Sequence, residues 1–431
     1  MLAAGVTDVD VNVAGPFRCR RLGDDYLITN DFGDWMSLSS DELKRFVQGE
    51  VSEGDPLYDR LNAKRFIHGT VGLGDAVERY RARRWFLDHG PRSHWLALGA
   101  ADGTMSAETV DRAIDCAFMS TSPELVFELT GGEPIDQWAS VEQAALYVES
   151  KNRLARKRAS VALHTGLTGL TDERVAFLAE HGIRVHARIT GADTWATART
   201  WVPKLHAAYA SAGHDAEVLH VVLEHTSTGD DDLSAVVDLA VELGCQTVAL
   251  TPAPSWTFLE DGGGPDLDAW LAAYIVALDR CITHETEGVP VAEATARVLT
   301  QRILGDRAPN DARYRSPAAD GIGELAYHWD GRVFSSETGR QLAELHEDEM
   351  FKLGELRVHG YHDMITNPTV RALILASLLE GQPGCSDSAY AAFGGLSPAE
   401  CYAEQGSIHG RPAEHSGWRR LVGTLDALFV R

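Results

Sequence analysis

Cysteine is scarce and scattered in this sequence. The six cysteines of the 431 residues stand at positions 19, 116, 245, 281, 385 and 401, no two of them within ten residues. There is no CxxC pair and no zinc-knuckle spacing, and reduced thiols in a cytoplasmic protein are expected. Basic charge is also short: 39 Lys and Arg face 63 Asp and Glu, a net charge of −24, which argues against nucleic acid or an anionic membrane as the main partner. No apolar run reaches the ~18 residues that a membrane span needs. The first twelve residues hold Asp8 and Asp10 and no basic cluster, so no signal peptide is expected there. No repeat, GxSxG elbow, P-loop or GxGxxG with a following acid is present, which excludes the hydrolase and nucleotide-loop chemistries those motifs carry.

What is there suffices for two or three domains at ~150 residues each, with 44% hydrophobic residues to build cores. Residues 1–74 form a winged-helix-like α+β domain. Strands are expected at 17–22, 26–29 and 35–38, punctuated by Gly23-Asp24 and by Asn30-Asp31-Phe32-Gly33. Ser39 through Glu42 is a capping box opening a helix striped by Leu43, Phe46 and Val47. A second helix starts at Asp55-Pro56, with Leu57, Tyr58 and Leu61 as its stripe. Residues 75–91 make a basic linker helix, whose Arg79, Arg81, Arg83 and Arg84 read as a solvated face.

From 92 to 305 strand and helix alternate. Strands are expected at 94–98, 125–129, 160–164, 183–189, 218–225 and 247–251. Helices are expected at 106–118, 140–154 (with a Ser140–Gln143 capping box), 171–181, 194–212, 231–243 and 267–283. Repeated βα units predict parallel strands with right-handed crossovers, here a six-stranded partial (β/α) TIM-like barrel. Functional residues then belong at the carboxyl ends of the strands, in 99–105, 130–134, 164–166, 189–193, 225–227 and 251–256. Residues 306–431 differ in character: a hairpin at 325–335 with a two-residue Asp330-Gly331 turn, helices at 345–351 and 367–380, and a loop-rich tail from Pro383 to Trp418. Such a tail is expected to bury few apolar side chains and to need a staple.

Other side chains carry weaker signals. His359, His362 and Asp363 fall together but read as a surface loop rather than a metal site. His220 and His225, five apart on one strand around Glu224, point to opposite faces and make poor joint ligands. His164, His186 and Arg188 line the barrel mouth or lumen, with core hydrogen bonding as the plainer role. Cys116 reads as a small buried hydrophobe. Trp138, Trp195, Trp201 and Trp270 suit packing. Trp256, after Thr251-Pro252-Ala253-Pro254, sits where a barrel mouth would hold a peptide. No metal site is expected.

Thr130-Gly131-Gly132-Glu133-Pro134, directly after Leu125-Val126-Phe127-Glu128-Leu129, resembles the GGEP motif of radical S-adenosylmethionine (SAM) enzymes. In that family the motif follows the second barrel strand and holds the amino group of the methionine moiety. Phe17-Arg18 through Ile67, Met105-Ser106-Ala107-Glu108-Thr109, Tyr314-Arg315-Ser316-Pro317, Gly321-Ile322-Gly323 and Phe351-Lys352-Leu353-Gly354 resemble the radical SAM maturase of His-Xaa-Ser peptide systems, which carries a C-terminal SPASM domain. The resemblance spans nearly the whole chain and makes 306–431 a SPASM-like region.

The family's [4Fe–4S] cluster hangs on a CxxxCxxC loop after the first strand, and clusters need thiolates. Here Gly99-Ala100-Ala101-Asp102-Gly103-Thr104-Met105 has seven residues and no cysteine. At the positions implied for SPASM cysteines stand Ala318, Ser336, Ser388, Gly394, Ser397 and Ser416; Cys385 alone matches, and Cys401 is off the pattern. The resemblance therefore implies no iron–sulfur cluster, no catalytic residues of the parental kind and no cofactor. Gly131, Gly132, Glu133, Pro134 and Thr165 remain as a vestigial SAM site, and residual SAM binding, helped by Gly166 and Thr190, is the lesser expectation.

The first block resembles the recognition element of ribosomally made, modified peptide pathways. That element takes a leader peptide as an added strand, here along Trp35, Met36, Ser37 and Leu38, with a groove against Leu43, Phe46 and Val47. The expectation is a cluster-less pseudoenzyme that binds a precursor peptide, a catalytic maturase subunit, or both. The alternatives are an enzyme repurposed for acid–base work by Glu133, Asp193 and Glu224, a divergent maturase with non-standard cluster ligands, and a homodimeric structural protein.

Overall fold

Gly23, at φ +61°, turns the chain between β1 (Arg18–Leu22) and β2 (Asp25–Thr29), and β3 (Trp35–Leu38) completes an antiparallel sheet in the order β1-β2-β3. This computed structural model describes residues 9–214, 220–229, 231–257, 266–305, 311, 314–382, 384–411 and 415–431. Parts of three expectations fall outside them: residues 1–8 of the chain start, 218–219 of the fifth strand of the alternating block, and Pro383 and 412–414 of the tail.

The expected capping box is present. Ser39 Oγ accepts the Glu42 N–H at 3.3 Å and the Glu42 carboxylate accepts the Ser39 N–H at 3.0 Å. It starts α1 (Ser40–Val47), and Asp55 caps α2 (Pro56–Ala63). Leu43, Phe46 and Val47, spaced to share one helix face, bury with Ile28, Met36, Leu38, Leu57, Leu61 and Phe66. In α3 (Leu73–Arg83) one expectation fails. Arg83 is not on a solvated face: it is buried and donates to the carbonyls of Arg302, Gly305 and Ala392, which bolts the helix to distant chain.

The alternating block builds a large, mainly parallel sheet. β4 (Ser93–Ala97) leads into a tiny hairpin of β5 (Gly99–Ala100) and β6 (Gly103–Thr104), then α4 (Ala107–Phe118). There follow β7 (Glu124–Thr130), α5 (Trp138–Ala155), β8 (Arg158–Thr165), α6 (Asp172–Glu180) and β9 (Arg184–Ile189). Then come α7 (Ala192–Ser211), β10 (Val221–Ser227), α8 (Leu233–Glu242), β11 (Thr247–Pro252), α9 (Leu267–Thr286), β12 (Ala292–Glu293) and α10 (Ala294–Leu304). Strands β4 and β7 to β12 are parallel neighbours in sequence order. The Ser140 capping box does not form. Ser140 lies inside α5, because the helix starts at Trp138 behind a short 3-10 turn that the Glu133 side chain caps.

The sheet does not end with that block. β13 (Glu324–Tyr327) pairs parallel to β4, and β14 (Arg332–Phe334) and β15 (Lys352–Glu355) continue antiparallel. The β13–β14 connection spans residues 328–331 rather than a two-residue turn, with Gly331 N–H bonded back to His328 O at 2.9 Å. Residues expected as a helix at 345–351 instead end α11 (Glu337–His346), where Glu347 turns left-handed at φ 58°, and lead into β15. α12 (Tyr361–Ile365), α13 (Pro368–Ser377), α14 (Pro398–Gln405) and α15 (Ser416–Val430) complete the chain.

The tail is better packed than expected. Cys385, Tyr390, Phe393, Leu396, Cys401, Trp418, Leu421 and Leu425 form one buried cluster with Leu27 and Leu299. Apolar burial supplies the staple. No helix among the described residues is long and apolar enough to cross a membrane.

Candidate functional site

Side chains alternate along each strand, so Trp95 of β4, Glu128 of β7, His164 of β8, His186 and Arg188 of β9, Glu224 of β10 and Glu324 of β13 share the sheet face away from α4 to α9. That face is concave. Strands two apart lie ~10 Å from one another in a flat sheet, yet His164 reaches across β9 to Glu224 at 3.2 Å and across β7 to the Trp95 ring, centroids 5.3 Å apart.

A four-residue polar group sits on this face. His164 Nε2 meets Glu128 Oε2 at 2.9 Å, and Glu224 takes Nδ1 of His164 on Oε2 and Nδ1 of His186 on Oε1, the latter at 2.6 Å. The two imidazole centroids are 4.3 Å apart. One ligand atom each from Glu128, His164 and His186 lies within 4.8 Å of the others, the one such group among the described residues. Burial opposes charge on His164, but Glu224 and Glu128 outweigh it and raise the imidazolium to about 10. Burial likewise pushes Glu128 and Glu224 up, and the histidines overcome it, leaving both carboxyls below the usual range.

Sequence reasoning placed His164 and His186 at the lumen but missed Glu128 and gave Glu224 the wrong company. His225 lies on the helix side, bonded to Ile189 O and Asp231. His220 precedes β10 and stacks on Tyr209. The available signal was Glu128 itself, the one charged residue inside the expected apolar strand at 125–129.

The five motif residues do come together, and their polar groups are taken up by the protein itself. Gly131 and Gly132 adopt φ +91° and +58°, and a Cβ on Gly131 would stand 2.6 Å from Gly99 O. Glu133 accepts the Thr165 O–H at 2.6 Å, the Gly166 N–H at 2.8 Å and the Ile135 N–H at 3.2 Å, with Pro134 buried behind it. Arg188 donates to Gly132 O at 2.9 Å. Asp193 is exposed at the start of α7, apart from these contacts, and Trp256 packs near Ala326 and Phe334 with its carbonyl on His346. His359 and Asp363 serve local bonds, to Glu355 N–H and Gly360 N–H.

The cysteines lie in different elements; Cys116, Cys245 and Cys281 share one core and Cys385 and Cys401 another, and among the described residues no three acidic, histidine or cysteine side chains that include a cysteine come close enough to hold an ion. Burial pushes the thiols of Cys19 and Cys116 up to about 11 and those of Cys245, Cys281 and Cys385 to about 12, and raises Cys401 too. Ser336 and Ser397 cap α11 and α14, and Gly394 is packed under Leu421.

In the N-terminal unit the expected groove liners are already used. Leu38, Leu43, Phe46 and Val47 are fully buried in its core, and Met36 nearly so, because a short helix over a small sheet has no other apolar surface to close on. Trp35 Nε1 donates to Ile303 O at 3.1 Å and its ring meets Phe429. Outward, β3 offers Ser37 and its main chain, with Arg60 reaching Ser37 O at 3.4 Å. A groove of about 770 Å³ that the sequence did not reveal runs along the opposite edge, by Phe17, Arg18 and Cys19 of the β1 side, Val9, His68 and Asp387.

No known protein family matches the sequence. No curated protein matches it either. Solved structures do resemble it. Native anSMEcpe with bound AdoMet superposes with a TM-score of 0.63 at 11% identity, covering 79% of this chain and 98% of that one. Native anSMEcpe with AdoMet and the Cp18Cys peptide gives 0.62 at 11%, covering 79% and 97%. Streptococcus suis SuiB bound to precursor peptide SuiA gives 0.52 at 10%, covering 94% and 98%. At such identities the likeness is one of fold: this chain shares the α/β architecture of anSMEcpe and SuiB.

Proposed function

We propose that the chain is a cluster-less, radical-SAM-like protein that binds a precursor peptide, or a catalytic partner, in the modification of ribosomally made peptides. In this reading β4 and β7 to β11 are a six-stranded partial barrel, the N-terminal unit is a winged-helix-like recognition element, and 306–431 is a degenerate SPASM-like region. The observation that carries it is Arg188 on Gly132 O: the protein's own cation takes a main-chain carbonyl of the motif that, by resemblance, would face the amino group of the methionine moiety. The 99–105 segment supports the same reading, since it closes as a two-strand hairpin without a cysteine. Dispersed thiols held protonated by burial do not fit an iron–sulfur cluster, which needs converging thiolates. Peptide binding is supported by the edge position of β3 and by the peptide-bound structures of similar fold.

Iron and sulfide per full chain after anaerobic reconstitution, with a parallel AdoMet titration, test this. The expected result is neither stoichiometric iron and sulfide nor AdoMet binding. Stoichiometric cluster would overturn the reading in favour of a divergent maturase with non-standard ligands. A second reading, an enzyme with repurposed chemistry, draws on the Glu128–His164–His186–Glu224 group rather than on Glu133, whose carboxylate is taken up by Thr165, Gly166 and Ile135, or on the exposed Asp193.

A further inference from the structure

We propose that Glu128, His164 and His186 form a mononuclear site for a divalent transition metal ion, with Glu224 as the carboxylate that orients both histidines. This goes beyond peptide binding and does not depend on it.

The donor set comes first. Two imidazoles and one carboxylate from three adjacent strands, β7, β8 and β9, suit zinc or ferrous iron. Calcium and magnesium favour all-oxygen shells.

Orientation is the stronger argument. Glu224 engages Nδ1 of both histidines, one on each oxygen. A carboxylate accepts, so both rings carry a proton on Nδ1 and point Nε2 away from Glu224. On His164 Nε2 also donates, to Glu128 at 2.9 Å, and a bound ion would take the place of that proton. On His186 Nε2 is buried with no hydrogen-bond partner among the described residues. A buried acceptor left open is unusual, and a carboxylate behind the far nitrogen is the arrangement that metal-bound histidines ordinarily show.

Spacing and charge agree. The three ligand atoms lie within 4.8 Å. Ligands on one tetrahedral zinc, at bond lengths of ~2.1 Å, stand roughly 3.4 Å apart, so the widest separation closes by up to ~1.4 Å around an ion while the His164–Glu128 pair, at 2.9 Å, opens slightly. A dication with two neutral imidazoles balances the charges of Glu128 and Glu224 on an enclosed face. The four side chains keep between 10% and 23% exposure, so the group lies near the surface of the concave face. Three protein ligands leave at least one coordination position open on the concave face, for water or a donor atom of a bound molecule.

The test uses the full chain after chelator treatment, titrated separately with Zn²⁺ by calorimetry and with Co²⁺ by visible absorption. One ion per chain is expected, with ligand-field bands of nitrogen–oxygen coordination for Co²⁺. His186→Ala and Glu128→Gln are expected to weaken binding at least 100-fold. Glu224→Gln is expected to weaken it by ~10–100-fold while one ion still binds. Sub-stoichiometric uptake by the wild type overturns the proposal, and so does uptake that the ligand variants leave unchanged. Should a variant fail to fold, the wild type decides. Zn²⁺ must raise Tm by mass action and bleach the Co²⁺ bands, and the absence of both effects overturns the site. The iron–sulfide assay reads acid-labile sulfide, which this site lacks, so the two proposals fail separately.

Discussion

Glu324 holds its carboxylate against Trp95, whose indole N–H donates at 2.9 Å. Burial, with Asp320 nearby, raises this carboxyl to about 8. The folded state then binds a proton that the unfolded chain has released, so stability is fullest below the unfolded value near 4.5 and falls as pH rises through 8. Glu324→Gln is expected to flatten the fall of Tm between about pH 4.5 and 8. At pH 8 it should leave the variant more stable than the wild type, by at most roughly 4 kcal/mol; an unchanged slope in a thermal melt series would count against the burial argument. At Gly131, positive φ and the contact with Gly99 O leave no room for a side chain. Gly131→Ala should cost ~1–3 kcal/mol, read by denaturant unfolding. These residues also mark the limit of sequence reading. Gly131 through Pro134 were legible because one short motif holds them. Glu128 was not, because its partners His164, His186 and Glu224 come from three other strands, and only folding sets them side by side.

Elements were read more easily than faces. All three N-terminal strands and the alternating strands and helices follow from local patterning. Misreadings arose where tertiary contact overrode it, as in α11 and in the packed tail around Tyr390 and Phe393. β3 shows the difference that a face makes. Its inward side chains close the core, so any added strand must bind through main chain. An antiparallel residue points its N–H and C=O to the same side, and Ser37 O faces Arg60 rather than β2. Ser37→Pro is therefore expected to abolish copurification of peptide detected by mass spectrometry, with Ser37→Ala harmless. Equal peptide recovery from both variants would place binding elsewhere, the groove beside β1 being the alternative.

At the scale of the molecule, the N-terminal unit is tied to the far end of the chain. Asp426 of α15 accepts from the Arg20 guanidinium and from the Tyr390 hydroxyl, and Arg20 lies over the Tyr390 ring at 5.2 Å. Asp426→Ala leaves a half-buried guanidinium without its carboxylate and should lower stability by ~1–3 kcal/mol, with earlier cleavage of the N-terminal unit in limited proteolysis. The ten-stranded sheet adds a constraint of its own. Its outer strands are the two-residue β12 and the four-residue β15 with its charged Lys352 and Glu355. Short, charged edges are how sheets avoid joining their neighbours. A fragment ending at residue 305 would lose β13 and bare the whole hydrogen-bonding edge of β4. Such a fragment should clump rather than remain dispersed, so the last third of this chain acts as the sheet's built-in guard against its own kind.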